Sequence, residues 1–186
     1  MDFSKIFKAL LLHVDTTRKA LEGIYLKVND NDEKTFSLCA TNGTTGLIVR
    51  NLDSELDYGM IYITALHEYG LVLPENPVSG IMYIGKKYKV ALFIPDNDKN
   101  FAYPAYPDLE RVLIRGGKTE NPLENFPAFD FKQLERANKT FTLLCGKGAV
   151  TAYIPHRWTD DVHITEYDIT DDIMLFVMPV RRSINE

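Results

Sequence analysis

Little in this chain is reserved for covalent or metal chemistry. Only two cysteines occur in 186 residues, Cys39 and Cys145. Each lies inside an apolar run (SLCAT and TLLCG), so both are expected as buried, reduced thiols rather than as a disulfide framework. The four histidines are dispersed. Only His156 and His163 stand close, with Asp160 and Asp161 between them, and a polar loop between strands is the preferred reading over a metal site. No serine or cysteine occupies a recognisable nucleophile elbow, and no carboxylate pair stands out for acid–base work. Gly116-Gly-Lys-Thr119 has the ending of a phosphate-binding loop, but Val112 occupies the place of its first glycine and the strand–loop–helix context is missing. These absences argue against an enzyme, a metal protein or a nucleotide binder.

Long apolar runs are missing too. None approaches the roughly 20 residues that span a bilayer. The apolar N-terminal patch is interrupted by Lys5 and Lys8 and is followed by no small-residue cleavage site, so no membrane association and a cytoplasmic location are expected. The Asn42 and Asn138 sequons are then chance matches. A basic surplus is also lacking: 21 Lys and Arg face 26 Asp and Glu, a formal net charge of -5. Tight nucleic-acid binders usually carry the opposite balance.

What is present is ordinary globular material, 45% hydrophobic and 25% charged, enough for one or two domains with a real core. Phe3, Ile6, Phe7, Leu10, Leu11 and Val14 recur at helical spacing and predict a helix over 2–14. Strand-like runs follow at 23–28, 34–41 and 46–51, with turns at 29–33 and at Asn42-Gly43. A short helix is expected at 64–72, closed by Pro74. Strands are expected at 80–86 and 88–95, then an extended segment at 101–114. Residues 115–128 carry the Gly and Pro of a linker. Asp130-x-x-Gln133 reads as a capping box opening a helix. Its apolar stripe would be Phe131, Leu134 and Ala137, and its basic stripe Lys132, Arg136 and Lys139. Strands at 141–146, 149–155, 162–168 and 173–180 complete an α+β pattern with mainly antiparallel sheets.

Four runs are more specific. Arg18-Lys-Ala-Leu-Glu-Gly-Ile-Tyr-Leu-Lys-Val28 is similar to the strand entry of a DNA sliding-clamp domain. Leu38-Cys-Ala-Thr-Asn-Gly-Thr-Thr-Gly-Leu47 resembles the Ala-Thr-Asp-Gly loop of the central clamp domain. Tyr106-Pro-Asp-Leu-Glu-Arg-Val-Leu113 looks like the segment that leaves that domain, and Met174-Leu-Phe-Val-Met-Pro-Val-Arg181 resembles the C-terminal strand of the family, which ends in Met-Pro-Met-Arg. They occur in family order, and the family is that of the bacterial DNA polymerase III beta subunit. The resemblance implies a DNA clamp fold built from helix-plus-antiparallel-sheet half-domain repeats, in shortened form, as a phage or mobile element would favour. Residues 1–109 would form one complete clamp-like domain, 110–121 an inter-domain linker, and 122–186 a partial, half domain.

The same resemblance implies a non-catalytic processivity factor without cofactor or metal. It would encircle duplex DNA without reading sequence and tether a DNA polymerase and other clients that carry clamp-binding peptides. The family also implies a separate clamp loader to place the ring on DNA. The DNA-facing side chains would be Lys5, Lys8, Lys132, Arg136 and Lys139, since mobile cations attract phosphate without fixing register. The second helix contributes only His67, beside Glu68. The peptide pocket would take Leu21, Thr41, Gly43 and Thr44 from the first domain. Val112, Leu113 and Ile114 would come from the inter-domain segment, and Val177, Met178, Pro179, Val180 and Arg181 from the last strand. Two departures bear on peptide preference: Thr44-Thr45 follows the loop glycine where the family often has a basic or imidazole side chain, and Ile114 stands where it often has Pro. Roughly three half-units per chain, against roughly twelve in a family ring, imply about four copies to close a homo-oligomeric ring. The alternative is a clamp-like adaptor that never closes a ring and binds the clamp-binding peptides of replication proteins. An enzyme built on the His156–His163 loop is the remaining rival.

Overall fold

The runs of β-branched and aromatic residues between 23 and 53 form a three-stranded antiparallel meander at the centre of one sheet. In the computed structural model, residues 1–29, 32–85, 91–98, 105–109, 130–146, 165–170 and 172–178 are described. Strands β1 (Gly23–Asn29), β2 (Asp32–Thr41) and β3 (Thr45–Asp53) are joined by β4 (Gly80–Ile84), β5 (Ala91–Pro95), β6 (Thr165–Thr170) and β7 (Ile173–Val177). Among the described residues, seven strands lie in the order β5-β4-β1-β2-β3-β7-β6, and every pairing is antiparallel. The helices among the described residues are α1 (Phe3–Leu11), α2 (Leu56–Tyr69) and α3 (Phe131–Cys145), with a short 3-10 turn at Lys19–Leu21. The α+β class expected from the sequence is the class observed.

Period-two alternation gives the sheet two unlike faces. Ile24, Leu26, Leu38, Ala40, Leu47, Val49, Leu175 and Val177 join a main core with Phe3, Phe7 and Leu10 of α1, Tyr58, Ile61 and Ala65 of α2, and Ala137 and Phe141 of α3. The intervening residues Cys39, Ile48 and Phe176 form a smaller cluster with Leu109. α1 packs against both other helices. The expected boundary at 110–121 lies outside the described residues; on either side of it, β3 and β7 are neighbours in one sheet.

Three expected elements differ. α1 ends at Leu11 rather than 14, because the amides of Leu12 and His13 turn back onto the carbonyls of Ala9 and Leu10. α2 begins at Leu56, well before the expected 64. The Asp53 carboxylate accepts from the amides of Glu55 and Leu56, both at 2.8 Å, which satisfies free donors at the helix start. Tyr58, Ile61 and Ala65 then supply the buried stripe. The helix closes on Gly70 in the left-handed conformation (φ +66), the usual glycine C-terminus, before Pro74 is reached. The expected strand 141–146 is instead the last turn of α3. Ala137, Thr140 and Phe141, at helical spacing, are the residues α3 buries, so Phe141 continues a helix face. The predicted stripe is displaced accordingly: Phe131 is 78% exposed. Cys145 is exposed as well, against expectation, while Cys39 is buried as expected. Asp130 caps α3 by accepting from the Lys132 amide at 2.7 Å. Gln133 does not complete a box, since its Oε1 is buried with no hydrogen-bond partner among the described residues.

Candidate functional site

The β2–β3 hairpin is locked by its own side chains. Asn42 Oδ1 accepts from the amides of Thr44 (2.9 Å) and Thr45 (2.8 Å) and from the Thr44 hydroxyl (2.9 Å). The Thr41 hydroxyl donates to the Thr45 carbonyl at 2.9 Å. Gly43 takes φ +84, a conformation that favours glycine. The last strand docks on this loop: Thr45 is opposite Val177, and the Met178 amide donates to the Thr44 carbonyl at 2.7 Å. The structure thus brings together Thr41, Gly43, Thr44, Val177 and Met178, which come from two segments far apart in sequence. Leu21 is buried at the end of the 3-10 turn. Val112, Leu113, Ile114, Pro179, Val180 and Arg181 lie outside the described residues, as do His156, His163 and the expected strand 149–155.

A cation stands where the hairpin sequence has none. A Cβ on Gly43 would lie 2.7 Å from Arg18 Nη1, so the guanidinium rests against the loop. Arg18 Nε also pairs with Asp15 Oδ2 at 3.2 Å. Burial raises the Asp15 carboxyl, but hydrogen bonds from the Thr17 hydroxyl and amide, with the Arg18 and Arg136 charges, outweigh it and hold the group below its ordinary range.

The second sheet face opens beside the hairpin. The Tyr106 ring stacks on Tyr25, centroids 4.8 Å apart and planes within 9°. Its hydroxyl accepts from the Thr41 amide at 3.0 Å. Burial, with the nearby Cys39, pushes the Tyr106 hydroxyl well above the ordinary phenol range, so it acts there as a neutral group. Asp108 pairs with Lys27 at 3.8 Å. Met174 and Met178 pack on the same small cluster. Residues 105–109 therefore cross the sheet face next to the candidate pocket, carrying an apolar body with a polar tip.

Nothing in the sequence marks His13. It is fully buried, its Nδ1 2.9 Å from Thr45 Oγ1 and its Nε2 2.8 Å from Thr140 Oγ1. Burial, then the Arg136 charge, lowers its pKa from 6.5 to about 3. The available signal was an isolated histidine just past an amphipathic helix, which by itself points to nothing.

The basic side chains lie on the two helices that touch, α1 and α3. Lys5, Lys8, Lys132 and Lys139 are exposed and Arg136 is half-buried. Lys5 pairs with Asp2 at 3.5 Å, Lys8 with Glu68 at 3.6 Å and Lys139 with Glu135 at 2.8 Å. Exposed pairs of this kind hold weakly and can exchange for phosphate. α2 differs. Its exposed face carries Leu56, Met60 and Ile63 at i, i+4 and i+7, with no Lys or Arg anywhere in the helix. Among the described residues no three potential metal ligands gather, and no helix is long and apolar enough to cross a membrane.

No family model matches the sequence, and no curated protein matches it. Solved structures similar to it include two DNA polymerase III beta subunits. One is a putative DNA polymerase III beta subunit from Eubacterium rectale, 13% identical, with a TM-score of 0.45, covering 96% of this chain and 63% of that chain. The other is the DNA polymerase III beta subunit from Thermotoga maritima, 14% identical, with a TM-score of 0.47, covering 95% of this chain and 61% of that chain. The chain spans less than two thirds of the length of either.

Proposed function

We propose that the chain is a shortened sliding clamp: a processivity factor that encloses duplex DNA between copies of its helix layer and tethers a DNA polymerase through an extended peptide. The observation that carries this reading is the joining of the 41–45 hairpin to the last strand through Thr45–Val177 and Met178–Thr44. These are two of the three segments from which the clamp resemblance would build its peptide pocket. Met178 offers a pliable thioether, Tyr106 a wall with a polar tip, and Arg18 the cation that Thr44-Thr45 lack. A peptide with apolar anchors and an acidic or carbonyl-rich flank fits that chemistry. The cations on the neighbouring helices α1 and α3 support a phosphate-facing side that does not read bases.

One observation favours a second reading. The apolar, cation-free face of α2 is unsuited to line a DNA channel. It suits a clamp-like adaptor that binds the same peptides without closing a ring. Light scattering across a concentration range, combined with retention on circular against linear duplex DNA, separates the two. A stable multimer of about four chains that stays on circles and runs off linear ends is expected for the clamp. A concentration-independent monomer with no topological preference overturns it and leaves the adaptor.

A further inference from the structure

Among the described residues, His13 is a buried titratable group that touches both the hairpin of the candidate pocket and the basic helix α3. Its two ring nitrogens face hydroxyls, and each hydroxyl has a single proton to give. The Thr140 hydroxyl lies 3.0 Å from the Arg136 carbonyl, which can only accept. The Thr45 hydroxyl lies 3.3 Å from Asn42 Oδ1, an oxygen already accepting three shorter bonds. The arrangement that keeps the short contacts therefore has one direction. Thr45 donates to Nδ1, Nε2–H donates to Thr140, and Thr140 donates to the Arg136 carbonyl. The reverse direction keeps the long Asn42 contact and leaves the Arg136 carbonyl without that hydroxyl proton. An imidazolium would need both hydroxyl oxygens as acceptors inside an apolar core, beside the Arg136 charge.

We propose that His13 is a positioning residue: a neutral Nε2–H imidazole relaying one line of hydrogen bonds from Thr45, in the pocket hairpin, to Thr140 and the Arg136 carbonyl of α3. The consequence for binding rests on the pocket reading above; the relay itself does not. Thr45 pairs with Val177 and opens the strand that carries Leu47 and Val49 into the main core, so a hairpin released from α3 would also loosen the Met178–Thr44 bond. Among the described residues, the charge that acts on the ring is Arg136 on α3; the same charge reaches Asp15, which pairs with Arg18.

Two measurements on the full chain test this. Nitrogen-15 spectra of the histidine rings at neutral pH are expected to show His13 with a pyridine-like Nδ1 and a pyrrole-like Nε2. The opposite tautomer, or an imidazolium, overturns the relay. Thr140→Val removes one hydroxyl and Thr140→Ser keeps it. In Thr140→Val, hydrogen exchange at the Met178 and Thr45 amides is expected to rise about five-fold. A fluorescein-labelled peptide with a Leu-Phe anchor pair should bind about five-fold more weakly, and Thr140→Ser should restore both. Unchanged exchange in a folded Thr140→Val overturns the positioning role. Should Thr140→Val fail to fold, the tautomer in the parent chain and the behaviour of Thr140→Ser still decide. Raised exchange with no peptide binding to either protein leaves His13's role standing and removes the pocket.

Discussion

At the scale of single residues, His13 makes the sharpest prediction about conditions. Its folded pKa lies near 3, lowered first by burial and then by Arg136, while the unfolded chain takes up the proton near its ordinary value. Between these two values the unfolded state binds more protons, so stability falls as the pH drops. The contribution is unchanged above about pH 6.5 and is lost at about 1.4 kcal/mol per pH unit between roughly pH 6 and pH 4. Urea unfolding at pH 7, 5.5 and 4.5 should show that slope, and His13→Asn should flatten it. A slope kept in His13→Asn would place the acid sensitivity elsewhere. Asp15 is also held below its unfolded value, but against the effect of burial, by the Thr17 hydrogen bonds and the Arg18 and Arg136 charges, so its stabilising contribution is lost only at lower pH, as the pH falls through the folded pKa. None of this was legible from residue types. His13 is surrounded in sequence by leucine and valine, and its partners Thr45 and Thr140 become neighbours only when β3 and α3 pack around the end of α1.

At the scale of elements, a helix is legible where its buried stripe coincides with its apolar residues, and obscured where it does not. α1 satisfies the first condition. α3 does not: Thr140 is buried and Phe131 exposed, so the apolar pattern points to the wrong face and ends the helix early. The start of α2 is obscured because Gly59 and the outward Leu56, Met60 and Ile63 blur its periodicity, although Asp53 four residues ahead of its own partner Asp57 was a usable start signal. The basic stripe of α3 survives this correction, but its members are unequal. Lys132 and Lys139 are exposed, whereas Arg136 is half-buried and its charge acts on His13 and Asp15. Lys132→Glu with Lys139→Glu, leaving Arg136 in place, is therefore the cleaner variant. It should weaken DNA retention and lower the salt slope by about 0.9 for each phosphate that is no longer neutralised, with thermal stability nearly unchanged. Equal retention at low salt would take those lysines off the DNA.

At the scale of the whole molecule, the sheet is the unit. β7 covers the edge of β3, and Ile173, Leu175 and Val177 share the main core with α1. A fragment of residues 1–109 would expose the β3 edge and the α1 surface that α3 covers, which invites association. The fragment is expected to bind more of a hydrophobic dye than the full chain does and to associate in a concentration-dependent way. A monomeric fragment with a sharp unfolding transition would instead establish 1–109 as an autonomous domain.

The sequence by itself determined the elements whose signals are local. Period-two runs set β1, β2 and β3, and helical spacing set most of α1. Asn42-Gly43 set the hairpin, because that turn chemistry is complete within a few residues. Tertiary structure decided everything that needs two distant segments. It placed β7 against β3, Arg18 against Gly43, Tyr106 on Tyr25, and His13 between two threonines. The reason is physical: a backbone turn is selected by its own residues, whereas a buried hydrogen bond or a strand edge is satisfied by whatever the chain brings back to it.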